Sequence, residues 1–477
     1  MRSLARLVLL VTPLAGCTTV PGIPPAPAPR TSLNAEQAFT AREGTWPDDQ
    51  WWCGFGDPQL DALINEALSG APNLLAAAAR VRKADALAEQ AGAVLAPSLV
   101  ADGSIAEAKQ SYNNGPPRFV VPKGFHDNTR IAASASWDPD LWGRNRDALA
   151  AATSEADAAR ADAAQTRLLL TTSLASAYYD LGRAFTDRES AVAAAEIRKH
   201  TLDIVRARGA NGLETSGIVN QSLAADRSAQ SDVVAIDEAI AITRARIAAL
   251  LGAGPDRGLA IAEPRPVALQ QQGIPATIGL DLVARRPDVA ARLLRVEANA
   301  RRVKAARKDF LPNLTLSGFA GLQSLDVKSI AASGSEIASL GLALHLPIFD
   351  GGRLRGAYRG QRADFDAAVA DYNAALATAF QDVATALATT RTIDTRIQQL
   401  ENAVAASRKA YAVAQARYEQ QLTSYLNVLT AEDSLVAAQR GLNALRARRI
   451  SADIDLIRAL GGGYRNPKTM QPAGSQP

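Results

Sequence analysis

The chain has 477 residues, of which 47% are hydrophobic, 21% charged and 5% aromatic, and its formal net charge at pH 7 is +4. Charges of both signs are interspersed, which does not indicate a nucleic-acid partner. Two cysteines and three histidines leave little material for disulfide frameworks or zinc sites. The mean hydropathy is −0.06, and no apolar run reaches the roughly 18 residues of a membrane helix, which excludes a polytopic helical membrane protein. Catalytic and cofactor motifs are absent, so we predict no enzyme, no metal and no cofactor.

The amino terminus has the pattern of a bacterial lipoprotein signal. Residues 1–16 contain a basic start, a short apolar stretch and small residues before Cys17. We predict lipid attachment at Cys17, with an ordinary cleaved signal as the alternative. Residues 18 and 19 are threonines, so the aspartate that typically retains lipoproteins at the inner membrane is absent, which favours the outer membrane. Residues 17–45 are rich in proline and predict an extended tether.

The rest of the chain is an internal repeat. Pro97 recurs as Pro312, a displacement of 215 residues, whereas Gly143 recurs as Gly352, a displacement of 209. Colinear proline, glycine and arginine matches of this kind indicate duplication. The change of displacement places six extra residues of the first half between positions 99 and 143.

This repeat predicts the division of the chain into segments. A first repeat covers 46–254 and a second covers 277–463, joined by a linker at 255–276, and a flexible tail follows at 464–477. Each repeat is predicted to hold a helical segment, then two strands, then a long helix and a returning helix. We place the strands at about 98–137 and 313–347, and the long helices at about 145–251 and 354–460.

The long helices are expected to form antiparallel coiled coils. From Phe365 to Val404 the apolar residues follow one another in steps of three and four, with a mean period of about 3.5, which is typical of a coiled-coil seam. A helix of about 64 residues is on the order of 95 Å long. Such helices must pack against the returning helices or against other subunits.

The extended segments predict membrane β-strands. Leu340, Leu342 and Leu344 alternate with smaller or polar residues, and each run has about 9–11 residues, the length of a tilted transmembrane strand. A soluble sandwich is the alternative from the strands alone. Four strands cannot close a barrel, and an open sheet edge is not tolerated in lipid. Oligomerisation is therefore expected to supply the missing strands.

The order and spacing of several motifs resemble the TolC-like outer-membrane factor family, specifically the lipoprotein branch that includes OprM and NodT. The resemblance covers about Trp51 to Gly463. Its motifs lie at 51–60, 137–144, 285–288, 310–312, 347–353, 417–429 and 460–463.

This resemblance implies a mainly helical homotrimer with a membrane portion. Each chain would give four strands to a 12-stranded outer-membrane barrel, and the helices would form a hollow α-barrel in the periplasm. The implied function is the exit duct of a tripartite efflux pump for small toxic compounds, joined to a periplasmic adaptor (membrane fusion) protein and an inner-membrane RND-type transporter. The alternatives are the outlet of a type I protein-secretion system and a non-channel structural lipoprotein that spans the periplasm.

The resemblance also implies roles for the two interruptions between the long and the returning helices. They would face the adaptor at the periplasmic tip, with the contact residues Arg208, Gly209, Gly212, Leu213, Thr215, Ser216, Arg417, Gln421, Leu422, Thr423 and Ser424. Gly209 and Gly212 suit turns with positive φ, whereas Gln421 stands where the family usually has glycine.

A pore gate is implied beside the second interruption. Tyr418 matches a family tyrosine that latches the closed tip by hydrogen bonds, with an exposed interfacial aromatic as the alternative. Asn427 and Thr430 stand where relatives often carry pore-lining aspartates. Glu432 and Asp433 are nearby acidic residues that could supply charge instead.

Overall fold

The computed structural model describes residues 27–30, 33, 39, 44–113, 117–265, 282 and 284–466. The predicted signal, the lipid attachment at Cys17 and much of the tether lie outside the described residues. The same holds for residues 266–276 of the predicted linker and for residues 467–477 of the predicted tail.

The described residues form long helices and one sheet. The α-helices are α1 (Pro58–Gly70), α2 (Pro72–Ala93), α3 (Arg144–Ala210), α4 (Ser216–Leu251), α5 (Pro255–Leu259), α6 (Pro287–Lys308), α7 (Arg353–Glu419) and α8 (Tyr425–Ala459), and the strands are β1 (Ser98–Ala108), β2 (His126–Trp137), β3 (Asn313–Ser324) and β4 (Glu336–His345). Short 3₁₀ helices lie at Trp51–Phe55 and Val327–Ser329. Within the part of the chain that the structure describes, no helix combines the length and the apolar content needed to cross a membrane.

The elements follow the repeat. α3 and α7 each have 67 residues, and the displacement changes from 215 to 209 between β1 and β2. The loop between β1 and β2 spans 109–125 and the loop between β3 and β4 spans 325–335, so the six extra residues lie in the first of these loops.

The sequence predicted one helical segment before the first strands, but α1 and α2 are separate. Ala71 is extended there (φ −63°, ψ 126°) because Pro72 disfavours the helical conformation of the residue before it.

The chain divides into two compact units. The first includes Arg80–Ala159 and Arg292–Tyr372 and contains the sheet, whose strands are antiparallel in the order β1-β2-β3-β4. Helix pairing in this unit uses ion pairs, since Lys308 Nζ lies 2.6 Å from Asp147 Oδ2 and Arg295 Nε lies 3.3 Å from Glu155 Oε1.

The second unit includes Arg160–Ala291 and Asn373 onward, and its core is aromatic and aliphatic. Members of this core are Trp51, Trp52, Phe55, Leu60, Leu63, Ile64, Leu174, Tyr178, Leu181, Ile247, Leu251, Ile454 and Ile457. Asp57 caps α1 by accepting a bond from the Gln59 backbone N–H (2.9 Å), and the Tyr178 hydroxyl donates to the same carboxylate (2.7 Å). This bond fixes the start of α1 against α3, and burial raises the pKa of Tyr178.

Gly321 is a position where the sheet leaves no room for a side chain. A Cβ there would lie 2.5 Å from Ala132 Cα and would also overlap the Ile131 carbonyl oxygen, whereas a Cβ at Gly341 would meet nothing within 4 Å. We expect Gly321→Ala to push β2 and β3 apart and to destabilise the protein by about 1–3 kcal/mol. Gly341→Ala is the matched control and should leave the thermal unfolding midpoint of the purified protein unchanged. Equal midpoints for the two variants would contradict this view of the strand contact.

Candidate functional sites: the sheet faces and the helical turns

One face of the sheet is apolar and exposed. Because residues directly opposite in an antiparallel pair share a face, the register places alternate residues of all four strands together. Exposed members of this face are Leu99, Ile105, Ile131, Leu340, Leu342 and Leu344. Leu340 is 79% exposed, so its side chain meets nothing in the described chain that would remove it from water. Burying one such side chain is worth about 1.5–3 kcal/mol, and a face of this kind requires lipid or a partner.

The opposite face of the sheet is polar. It carries Asp102, Ser134, Arg130 and Gln323, and the Arg130 guanidinium lies 4.8 Å from the centre of the Phe319 ring. A sheet that is apolar on one face and polar on the other is typical of a strand set between lipid and a water-filled lumen. β1 and β4 are the two edge strands, and their outer backbone groups are available to further strands.

The two helical turns share a backbone conformation. The Leu213 N–H donates to the Arg208 carbonyl (2.9 Å), and the Leu422 N–H donates to the Arg417 carbonyl (2.8 Å). The residue in the left-handed region is Gly212 (φ 73°) in the first turn and Gln421 (φ 62°) in the second. Gln421 therefore adopts the glycine conformation even though its side chain disfavours it.

Gly209 has a different role from the one predicted. It lies in α3 and does not have a positive φ, so the prediction of a turn residue was wrong. A Cβ at this position would lie 3.0 Å from Val219 Cγ2. Gly209 therefore permits the close approach of α4 to α3.

The residues after the two turns start the returning helices. Thr215 caps α4, since its side-chain oxygen accepts from the Ile218 N–H, whereas Ser424 makes no side-chain cap to α8. Thr423 accepts a bond from the Asn427 amide at 2.6 Å. Leu213 and Leu422, at equivalent positions of the two turns, are 57% and 62% exposed, and Ser216 and Arg417 are exposed as well.

Tyr418 joins the two turns of one chain. Its side chain is 2% exposed, and its hydroxyl donates to Glu214 Oε1 at 2.9 Å. The Arg208 guanidinium lies 4.7 Å from the centre of the ring and donates to the Tyr418 carbonyl (3.2 Å). Burial, together with the bond to Glu214, raises the pKa of Tyr418 to about 12. The tyrosine is therefore a buried neutral donor at physiological pH rather than an exposed aromatic, and sequence reasoning did not single out its acceptor, Glu214.

The acidic residues after the second turn are occupied within the chain. Asn427 and Thr430 are exposed, but Glu432 is only 1% exposed, so the idea that it contributes charge at a pore surface was wrong. Asp433 is exposed, and its carboxylate is paired with Arg198.

Arg198 is the centre of this network, and sequence reasoning missed it. Its guanidinium donates to Glu432 Oε1 (2.8 Å), to Asp433 Oδ1 (2.7 Å) and to the Ala225 carbonyl (3.3 Å). Arg198 thus connects α3 to α4 and to α8. Burial raises the pKa of Glu432 more than the neighbouring Arg198 lowers it.

A second arginine pair lies beside this network. Arg440 Nη2 lies 2.6 Å from Asp232 Oδ2, and both side chains are about half exposed. Among the residues that the structure describes, no group of three or more histidine, cysteine or acidic side chains is arranged to hold a metal ion.

A duplicated set of very long helices, with a four-stranded sheet that has one apolar and one polar face, defines an outer-membrane channel subunit. Residues 63–253 and 281–462 match the model of the family described as outer membrane efflux protein, and the chain belongs to this family. The predicted TolC-like membership, the mainly helical fold with two repeats and four strands, and the function as an outer-membrane efflux channel are thereby confirmed. Members are channels and not enzymes, as predicted.

Relatives and a solved structure agree with this assignment. The chain is 33% identical over 385 residues to the multidrug resistance outer membrane protein MdtP of Escherichia coli (strain K12), which covers 76% of this chain and 77% of MdtP. It is 33% identical over 365 residues to the fusaric acid resistance protein FusA of Burkholderia cepacia. This alignment covers 74% of this chain and 68% of FusA. The structure superposes on the crystal structure of the outer membrane protein VceC from Vibrio cholerae with a TM-score of 0.83 and a sequence identity of 38%. The superposition covers 88% of this chain and 100% of VceC. The family consists of trimeric outer-membrane channels of tripartite efflux pumps.

Proposed function

We propose that three copies of this chain form a 12-stranded barrel and that the channel exports small toxic compounds across the periplasm and the outer membrane. The observation that carries the proposal is the four-stranded sheet with an apolar exposed face and two open edges. Pairing β1 of one copy with β4 of the next would satisfy both edges, as lipid requires. Relatives named for multidrug and fusaric acid resistance support efflux of toxic compounds.

The helical turns are the proposed contact with a periplasmic adaptor protein, which would connect the channel to an inner-membrane RND-type transporter. Leu213 and Leu422 support this, because each is a large exposed apolar side chain at the same position of its turn. Polar residues follow each leucine in the sequence, Thr215 and Ser216 after Leu213 and Thr423 and Ser424 after Leu422. An apolar centre with a polar rim is the usual composition of a protein interface.

The division into a lipid-anchored tether, two repeats at 46–254 and 277–463 and a linker at 255–276 is part of this proposal. The family match over two separate ranges supports the two repeats, and the small residues before Cys17 support the anchor. Mass spectrometry of the mature amino-terminal peptide tests the anchor. A diacylglycerol on Cys17 is expected, and an unmodified cysteine or a different first residue would refute it.

Conductance of the purified full chain in a planar bilayer tests the channel. Discrete channel events are expected, and their absence under all ionic conditions would favour a structural lipoprotein instead. Deletion of the gene is expected to raise sensitivity to toxic small molecules. Unchanged sensitivity together with loss of a secreted protein would favour the type I secretion outlet.

Asn427→Asp tests the proposed position of the gate. Asn427 is exposed and lies in the first turn of α8, where a carboxylate is tolerated because it interacts favourably with the helix dipole. Three carboxylates near the pore axis would attract counter-cations. We expect conductance to become more cation-selective and more easily blocked by divalent ions, without a change in unfolding midpoint. Unchanged ion selectivity would mean that residue 427 does not line the constriction.

A further inference from the structure

The loop between β1 and β2 is the longer of the two strand connections, and it is basic. Its residues at 109–125 include Lys109, Arg118 and Lys123 and no acidic side chain, whereas the loop at 325–335 contains one aspartate and one lysine. We call residues 109–113 and 117–125 the basic loop. The acidic residues nearest in the sequence, Glu107 and Asp127, belong to the strands and lie opposite each other in the β1–β2 pair. The six additional residues of the first repeat therefore lie in a segment with three positive charges.

The basic loop also exposes large apolar side chains. Phe119 is 88% exposed, Phe125 is 66% exposed and Val120 is 55% exposed. Arg118 and Lys123 are exposed within one or two residues of these rings. Aromatic rings interleaved with cations are the composition of segments that lie at a membrane interface, where rings enter the headgroup layer and cations meet phosphates.

Hydrogen bonds within the loop and the burial of Val121 determine which side chains of the loop face solvent. The Gly124 N–H donates to the Tyr112 hydroxyl (3.3 Å), which ties the two limbs of the loop together, and Gly124 has a φ of 94° that a side chain would disfavour. The Val120 N–H donates to the Pro117 carbonyl at 3.0 Å. Val121 is 6% exposed, so the valine faces inward while Phe119 faces solvent.

We propose that the basic loop binds the phosphate groups of the glycolipid in the outer leaflet, that is, the diphosphoryl headgroup of lipid A. This inference rests on the proposed function, since it requires that the strands cross the outer membrane with this loop outside. The Ala108–His126 pair, the last of the β1–β2 ladder, lies directly below the loop, so the lipid that covers the apolar sheet face ends beside it. The Arg118 guanidinium can bind a phosphate through two parallel hydrogen bonds, and Phe119 and Phe125 provide the apolar contact.

Native mass spectrometry tests this with the purified full chain in dodecyl maltoside micelles titrated with diphosphoryl lipid A. The variant Arg118→Ser/Lys123→Ser is expected to weaken binding roughly thirtyfold, the factor that corresponds to about 1 kcal/mol for each cation. Lys328→Ser is the matched control, because Lys328 is an exposed lysine of the other loop, and it should bind as the unchanged protein does. Lipid A from which both phosphates have been removed should bind the unchanged protein at least as weakly as diphosphoryl lipid A binds the double variant, which keeps Lys109.

Full affinity in the double variant, or an equal loss in Lys328→Ser, would overturn the proposal and leave the basic loop to another partner, such as an acidic protein. Planar-bilayer recordings of the same preparations separate the two levels of inference. Channel events without phosphate-dependent lipid A binding would refute the loop proposal alone. Lipid A binding without channel events would refute the proposed assembly of three copies into an open 12-stranded barrel.

Discussion

Replacement of Arg198 by alanine is expected to destabilise each chain by about 3–5 kcal/mol, because it leaves the Glu432 carboxylate buried without a cation. Glu432 is 1% exposed, and its bond to Arg198 is 2.8 Å long. The Ala225 carbonyl and Asp433 lose their donor as well. The measurement is the free energy of unfolding of the purified protein in denaturant, compared at one protein concentration.

Arg440→Ala is the matched control for this prediction. It removes an arginine from a neighbouring ion pair with Asp232, but both partners are about half exposed, so a loss of no more than about 1 kcal/mol is expected. Adding Glu432→Gln to Arg198→Ala should recover part of the stability, since the buried charge is then gone. Similar losses for Arg198→Ala and Arg440→Ala would show that burial of the pair does not govern its contribution.

The pH dependence of the Arg198→Ala variant follows from the raised pKa of Glu432. A carboxyl with a folded-state pKa above its ordinary value of 4.5 contributes stability that is fully present below that ordinary value and is lost as pH rises through the folded value. Without Arg198 the pKa of Glu432 rises further, because the cation that lowered it is absent. The difference in stability between the variant and the unchanged protein should therefore shrink as the pH falls toward 4.5.

In the proposed trimer, where the resemblance gives Tyr418 the role of a latch, Tyr418→Phe is expected to make the periplasmic tip leaky. The substitution removes the hydroxyl that donates to Glu214 at 2.9 Å and leaves the ring under Arg208 in place. One hydrogen bond is worth about 0.5–1.5 kcal/mol net, so three chains of the proposed trimer would shift the closed-to-open equilibrium by about 1.5–4.5 kcal/mol if the effects add. That is roughly a ten- to thousandfold change in open probability. The measurement is entry of a large antibiotic, such as vancomycin, into cells that carry the variant.

Tyr179→Phe provides the control for the hydroxyl. Tyr179 is also buried, and its hydroxyl has no hydrogen-bond partner among the described residues. Removing that hydroxyl should leave antibiotic entry unchanged and should not destabilise the protein. If Tyr418→Phe gave no leakage, or Tyr179→Phe gave as much, the bond to Glu214 would not hold the tip closed.

Much of the fold could be predicted from the sequence, because periodicity is a local property. The roughly 3.5-residue period of apolar residues from Phe365 to Val404 predicted the helix α7. The alternation of leucines with small or polar residues around Leu342 predicted the strand β4. The displacement between repeats located the six extra residues that the β1–β2 loop contains. The break at Ala71 was also readable in principle, since Gly70 precedes it and Pro72 follows it.

The contacts that determine the candidate sites could not be predicted in this way. Arg198 and Glu432 are 234 residues apart in the sequence, and nothing local shows that a glutamate in a helix will be buried. Gln421 adopts a positive φ that its residue type disfavours, so residue preference pointed away from the conformation that the repeat imposes. Nothing in the sequence around Glu214 indicates that its carboxylate accepts a hydrogen bond from Tyr418, because the two residues are 204 positions apart and only the fold brings them together.

Gly209 and Tyr418 occupy the same position in the two repeats. The last turn of α3 therefore has no side chain where the last turn of α7 has a buried ring in contact with Arg208, although both helical turns end in an exposed leucine. The proposed trimer has six helical turns, two from each chain. The backbone conformation is the same in all six, whereas the side chains are the same only in every second turn. A partner present in six copies would meet two kinds of surface in alternation. Identical adaptor subunits would then need either two modes of attachment or a contact confined to the leucines, which the two turns have in common.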